Sequence, residues 1–292
     1  MALNEILLTV SIIMQLKAGS VVGSASGFFY TRNDKLFLVT NQHIMRDEKK
    51  GITPDTLRLR LHTDANNITL NDNFDIPLYA DKKQLWKIHP QFKDADVALI
   101  EVDKKRIQQK YIIKAWSKDS FLPKKYRLDP GEDVFVIGYP LSFHDVANNL
   151  PIFRNAMIAS TYRVYFQNLP LFLTDANLHP GTSGSPVVTK PKSTWVDDAG
   201  NTNLVTGTVY YLVGVHSGTV DKAVTGGQEI GLGASWYAEL IEDIAALFLH
   251  EKQQIFGPSP NNGTNAFWKN PLGFVCAVYV SRNAGQNCFG VR

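Results

Sequence analysis

The sequence predicts an all-β fold with one helix near its C-terminus, and three observations carry that prediction. Short runs rich in Val, Ile, Thr, Tyr and Phe recur along the chain, turn residues separate them, and a single stretch repeats its apolar residues with helical spacing. The runs lie at 21–22, 27–30, 36–40, 57–61, 97–102, 134–138, 162–166, 171–174, 186–189, 210–215 and 231–234. An earlier apolar run at 6–14, with β-branched Thr9, Val10, Ile12 and Ile13, is the expected first buried strand. Strands this short at this spacing build a barrel or a sandwich. The helical stretch places Trp236, Leu240, Ile241, Ile244, Leu247 and Phe248 on one face behind an N-capping Ser235. A helix is therefore expected over 236–253, packed across the second half of the chain.

Two polar interruptions organise the rest. Residues 116–131 contain Pro123 and Pro130 and read as a connector between a first half of about 1–116 and a second half of about 131–235. Residues 190–208 are rich in Gly, Asp, Asn and Thr and read as a surface loop between two strands. With the helix, these halves make one expected domain over 1–256. Beyond it, 257–292 begins with a Gly, Pro, Asn and Ser stretch and reads as a tail with no assignable role.

Bulk properties exclude several classes. Hydrophobic residues make up 44% of the 292, enough for a core and too many for global disorder. A net charge of +3, from 30 basic and 27 acidic residues with no long basic run, gives no electrostatic basis for nucleic-acid binding. The apolar run at 6–14 is too short for a membrane span, and Glu5 precedes it where a signal peptide would carry Lys or Arg. The only cysteines are Cys276 and Cys288, so a cytoplasmic, reducing compartment is expected, with secretion as the alternative. His62, His89, His144, His179 and His250 lack metal-ligand spacing, and no glycine-rich phosphate loop occurs, so neither a metal nor a cofactor is expected.

Three segments carry chemistry. In 181–186, Ser183 stands between Gly181 and Gly184 ahead of a β run. Gly181 opens backbone conformations closed to other residues, and its N–H and that of Ser183 can then converge on one oxyanion. The plainer reading is a small-residue turn. In 38–43, an apolar strand runs into a polar turn ending in His43, a rigid yet exposed place for a base; the plainer reading is one surface histidine among seven. In 94–100, Asp96 heads a strongly apolar strand, where a carboxylate is costly unless paired, and a His N–H is a suitable partner. Asp94 competes for that role; Asp96 is preferred because it adjoins the strand. Together the three are ordered His43, Asp96, Ser183, separated by 53 and 87 positions.

That order is found in chymotrypsin-like proteases and not in subtilisins or α/β-hydrolases. Over about 6–250 the sequence resembles bacterial trypsin-like serine peptidases of the HtrA and glutamyl-endopeptidase branch. SASGFF at 24–29 resembles the strand before the histidine, LVTNQH at 38–43 the histidine segment and DVAL at 96–99 the acid segment. GEDVFVIGYP at 131–140 resembles the strand opening a second barrel, TDANLHPGTSGSP at 174–186 the nucleophile segment and LVGVHSG at 212–218 the cleft strand. The resemblance implies a chymotrypsin-like double β-barrel with the active site between the barrels. It implies a serine endopeptidase that acts on proteins or peptides through an acyl-enzyme. It also implies an oxyanion hole at Gly181 and Ser183, support of Asp96 by Ser217, and pairing of the Ser217–Gly218 backbone with extended substrate. Alternatives are a catalytically silent protease-fold binding module and an esterase with the same triad.

His216 matches a histidine that lines the pocket for the P1 side chain in glutamyl endopeptidases and picornaviral-type cysteine proteases. That implies Glu or Gln at P1, although Leu178 replaces a Thr of the glutamyl members and HtrA members prefer small apolar residues. The plainer reading is a ring packed between strands. Thr182 stands where trypsins carry an Asp that pairs with a freed N-terminus, so that activation route is not expected, nor is a following PDZ domain. Restraint by a regulatory protein partner, by ordering of 190–208 or by narrow specificity would each suit a cytoplasmic peptidase.

Overall fold

The computed structural model describes residues 4–220, 228 and 230–250. Strands β1 (Val10–Lys17), β2 (Ser20–Arg32), β3 (Lys35–Thr40), β4 (Thr56–His62), β5 (Asn71–Pro77), β6 (Trp86–Ile88) and β7 (Ala98–Val102) form one antiparallel sheet in the order β5-β4-β1-β2-β3-β7-β6. Strands β8 (Asp133–Gly138), β9 (Ile152–Ile158), β10 (Leu171–Asp175), β11 (Pro186–Thr189), β12 (Leu212–Thr219) and β13 (Leu232–Tyr237) close into a barrel in the order β8-β9-β10-β13-β12-β11. This is the expected two-barrel architecture, its first sheet ending in edges at β5 and β6. Helix α1 (Glu239–His250) follows β13.

Alternation along the strands explains why so many read as continuous apolar runs. Side chains of neighbouring residues leave opposite faces of a strand. In β3, Leu36 and Leu38 fill the first sheet's interior while Phe37 and Val39 enter a core shared with the second barrel. In β7, Ala98 and Ile100 point one way and Leu99 the other. In β11, Val187 enters the second barrel and Val188 the shared core. Both faces are thus buried, and the polar alternation of a half-exposed strand is lost. The shared core fixes one half against the other, which the cleft between them requires. The β1–β2 hairpin turns on Ala18 and Gly19, both at positive φ (48° and 80°), the primed geometry that suits strand twist.

Several expected boundaries move. The first strand begins at Val10, because Glu5–Leu8 form a 3-10 turn that Asn4 caps by accepting from the Ile6 N–H. Residues 162–166 form no strand: Arg163, Gln167 and Asn168 lie at positive φ (64°, 51° and 64°), and Tyr162 serves instead as a ring packed edge-on to Phe172 and Tyr237. The loop at 190–208 holds a hairpin, Thr194–Val196 with Thr202–Leu204, whose buried Trp195 stacks on Tyr126 of the 116–131 connector.

The helix also differs from its expectation in two ways. It starts at Glu239, because Ser235 and Trp236 are held in β13 opposite His216 and Val215. And it packs against the first half. Phe248 meets Phe37, and Lys35 and Lys87 donate to the Phe248 and Leu247 carbonyls at 2.9 and 3.0 Å, where cations suit a helix C-terminus. At its other end Tyr30 donates to the Glu242 carboxylate. Residues 251–253 of the expected helix, the tail at 257–292, Cys276 and Cys288 lie outside the described residues.

Candidate active site

The site is assembled at strand ends, where a buried backbone releases a polar side chain. After β3, Gln42–Met45 make a single helical turn anchored by buried Ile44 and Met45, which leaves His43 at its edge. Before β7, Ala95 and Val97 are fully buried on either side of Asp96. The Asp96 carboxylate accepts three hydrogen bonds. They come from the His43 N–H at 3.0 Å, from His43 Nδ1 at 2.6 Å and from Ser217 Oγ at 2.6 Å. Asn41, buried just ahead of the histidine turn, donates from Nδ2 to the Asp96 backbone carbonyl at 2.6 Å. Asp94 is exposed.

Burial alone would raise the Asp96 pKa, but hydrogen bonding and charge from His43, with the Ser217 hydroxyl, outweigh it and hold the carboxyl below its usual value. An ionised carboxylate only accepts, so the proton shared with it sits on His43 Nδ1. In the neutral ring this tautomer leaves Nε2 as the nitrogen that can act as a base.

Ser183 lies on the turn between β10 and β11. Gly181 takes φ +96°, and a Cβ there would stand 2.5 Å from the Tyr139 carbonyl, so only glycine fits. Among the described residues, the N–H groups of Gly181 and Ser183 have no acceptor. Thr182 is buried, and its hydroxyl bonds within the turn to the His179 carbonyl at 2.8 Å. The Ser183 hydroxyl donates to the Ser217 carbonyl at 2.9 Å rather than to His43. Of the residues singled out from sequence, His43, Leu178, Ser183, His216, Ser217 and Gly218 line one cleft, with Asp96 behind His43. Lys50, His179 and Thr219 join this lining without a sequence signal to mark them.

His216 is 1% exposed, and its Nδ1 has no partner among the described residues. Burial lowers its pKa from 6.5 to about 4, with the charge of His43 adding to the effect and Asp96 opposing it. The ring is therefore neutral at pH 7. Between these two values the unfolded chain binds a proton that the folded chain refuses, so stability is present above pH 6.5 and is lost as pH falls toward 4. At 1.36 kcal/mol per unit the loss is on the order of 3 kcal/mol. Urea unfolding of the wild type and His216→Gln at pH 7 and pH 4.5 checks this. The variant should lose less stability between the two, and parallel losses would show that the ring is not the cause.

Two antiparallel β-barrel halves, a His–Asp pair from the first and a glycine-flanked serine from the second define the trypsin-like class of protein. A family model for the trypsin-like peptidase domain matches residues 25–196, more than half of the chain, and the chain belongs to that family. A comparison with curated protein sequences finds no match. Among solved structures, the chain is similar to a serine endoprotease from Yersinia pestis, with a TM-score of 0.49 and 14% identity over 84% of this chain and 64% of that one. It is also similar to an inactive mutant form of Rv3671c from M. tuberculosis H37Rv, with a TM-score of 0.42 and 16% identity over 86% of this chain and 89% of that one. The chain thus spans less than two thirds of the length of the Yersinia protein.

Proposed function

We propose that the chain is a serine endopeptidase, with Ser183 as nucleophile, His43 as general base, Asp96 as the group that orients it, and the N–H groups of Gly181 and Ser183 as the oxyanion hole. The observation that carries this reading is the three-point hold on Asp96, which engages His43 Nδ1 and leaves Nε2 as the ring nitrogen available to act as base, with His43 lining the same cleft as Ser183. An extended substrate laid along 217–219 would take the Ser217 carbonyl with its own backbone N–H. The Ser183 hydroxyl, displaced from that acceptor, turns about χ1 toward Nε2. Its oxygen adds to the scissile carbonyl as His43 takes the proton, and the oxyanion is held by the two free N–H groups. His43 then returns the proton to the leaving amine, and water releases the acyl group by the same steps in reverse. Labelling with a fluorophosphonate probe, followed by turnover of a peptide library, tests the reading. A folded protein that neither takes the probe nor cleaves any peptide would favour the silent binding module.

The specificity reading rests on His216. A neutral imidazole can donate to a Glu carboxylate or a Gln amide oxygen. An apolar P1 side chain would leave that donor unpaired, at about 1–3 kcal/mol, or roughly ten- to a hundredfold in kcat/KM. Leu178 is buried on the same cleft and supplies an apolar wall. A P1-varied library should therefore favour Glu or Gln over Val or Ala, and His216→Ala should flatten the profile. Equal cleavage after Val in the wild type would make the ring a packing residue.

A further inference from the structure

We infer that Ser26, on β2 of the first barrel, is the positioning residue that sets the oxyanion donors of Gly181 and Ser183, a role that rests on the endopeptidase reading above. Ser26 is fully buried and bonds to the nucleophile turn at two points. Its N–H donates to the Ser183 carbonyl at 2.9 Å, and its hydroxyl donates to the Gly181 carbonyl at 2.8 Å. The same hydroxyl accepts from the Tyr139 N–H at 2.9 Å, and the Ser26 carbonyl accepts from Thr40 Oγ1 at 2.8 Å. One residue thus ties together the turn, the end of β8 and, through Thr40, the strand that leads to His43; its hydroxyl makes the first two ties and its backbone carbonyl the third.

The geometry of the peptide bond gives these contacts a chemical consequence. In a trans peptide the C=O and the following N–H point in opposite directions, so holding one aims the other. The Pro180 carbonyl is held by the Leu141 N–H at 2.6 Å, which aims the Gly181 N–H away from Leu141. The Thr182 carbonyl is held by the Ser185 N–H at 3.0 Å, which aims the Ser183 N–H. Between these two planes lies the Gly181–Thr182 peptide, and its carbonyl is the one Ser26 holds. The N–H of the same peptide donates to the His179 carbonyl at 3.2 Å, a longer contact than the 2.8 Å bond from Ser26. Without the Ser26 bond, that contact alone restrains the central plane, and rotation at Gly181 carries both donors off their common target. Tyr139 and Leu141 flank the same contact, so the Ser26 hydroxyl also fixes the segment that holds Pro180. In trypsins an acid at the position of Thr182 pairs with a freed N-terminus; here the tie comes from the neighbouring barrel. Glycine at 138 and 184 makes room for it: a Cβ on Gly138 would stand 2.5 Å from Ser26 Oγ, and one on Gly184 would stand 2.2 Å from the Ser26 carbonyl.

The test separates transition-state binding from substrate binding. Ser26→Ala should lower kcat on the best library peptide by about ten- to a hundredfold, less than deletion of a direct oxyanion donor, with KM within about twofold. Affinity for a peptide aldehyde should fall by the same factor. Its carbon takes the Ser183 oxygen, the proton passes to His43, and the new oxyanion sits where the two N–H groups aim. The pH midpoints of kcat/KM should not move, because His43 and Asp96 are untouched. Ser26→Cys, which keeps a weaker donor in place, should recover part of the loss. A kcat and an aldehyde affinity within twofold of wild type overturn the inference. So does a loss that merely follows a fall in the folded fraction and is no smaller in Ser26→Cys. If Ser26→Ala does not fold, Ser26→Cys decides alone: an unchanged kcat overturns the inference, and a several-fold fall at constant KM supports it. A wild-type chain that takes no fluorophosphonate and cleaves no peptide overturns the endopeptidase reading itself, and this one with it.

Discussion

Ser183→Ala is expected to abolish fluorophosphonate labelling and to lower peptide turnover by about 10⁴- to 10⁶-fold, the usual consequence of losing a nucleophile whose partners act as a unit. The fold should survive. The hydroxyl makes one hydrogen bond, to the Ser217 carbonyl, and a bond of that kind contributes about 1 kcal/mol. Labelling that persists and maps to Ser185 would refute the assignment. The structure makes that outcome chemically awkward, because Ser185 is completely buried while Ser183 lines the cleft. Mass spectrometry of the labelled peptide distinguishes the two.

Asp96→Asn is expected to cost about 10⁴-fold in kcat. Three donors converge on the carboxylate, namely the His43 N–H, His43 Nδ1 and Ser217 Oγ. An amide offers a single acceptor oxygen and turns its NH2 toward at least one of them. The simplest relief is for Nδ1 to accept from that NH2, which moves the imidazole proton to Nε2 and removes the base. Asp94→Asn, on an exposed side chain with no part in this network, should stay within about twofold of wild type. Steady-state kinetics on the two variants checks both statements, and the opposite ranking would transfer the orienting role to Asp94.

The catalytic candidates were legible because each sits where the sequence changes character. His43 and Asp96 mark junctions between an apolar run and a polar turn, and Ser183 sits between two glycines ahead of another run. Such junctions are local, so they survive in a linear reading. The supporting residues were not legible. Ser26 lies in SASGFF, where a small polar residue in a strand looks like any other, and Asn41 looks like a turn residue. Each gains its role only from a carbonyl far away in sequence, Gly181 for the one and Asp96 for the other.

The strand at 162–166 and the helix teach the same lesson from two sides. Tyr162 and Phe166 have strand-forming side chains, yet positive φ at Arg163 breaks the run, and the rings are used for packing instead. The amphipathic pattern of α1 correctly announced that one face is buried. It could not say against what, since a stripe of Leu, Ile and Phe fits either barrel equally well.

By itself, then, the sequence determined the strand-rich composition and marked His43, Asp96 and Ser183 as candidates, because hydrophobic period and turn chemistry act over a few residues; the double barrel was implied only by the family resemblance. Only the tertiary structure decided that α1 clasps the first half, that His216 is almost fully buried at the edge of the cleft, where its charged form is disfavoured, and that the nucleophile turn is tied to the opposite barrel through Ser26. Those outcomes depend on which carbonyls and apolar faces meet across large sequence separations. Burial and hydrogen bonding there are set by the completed packing and not by any neighbour in the chain.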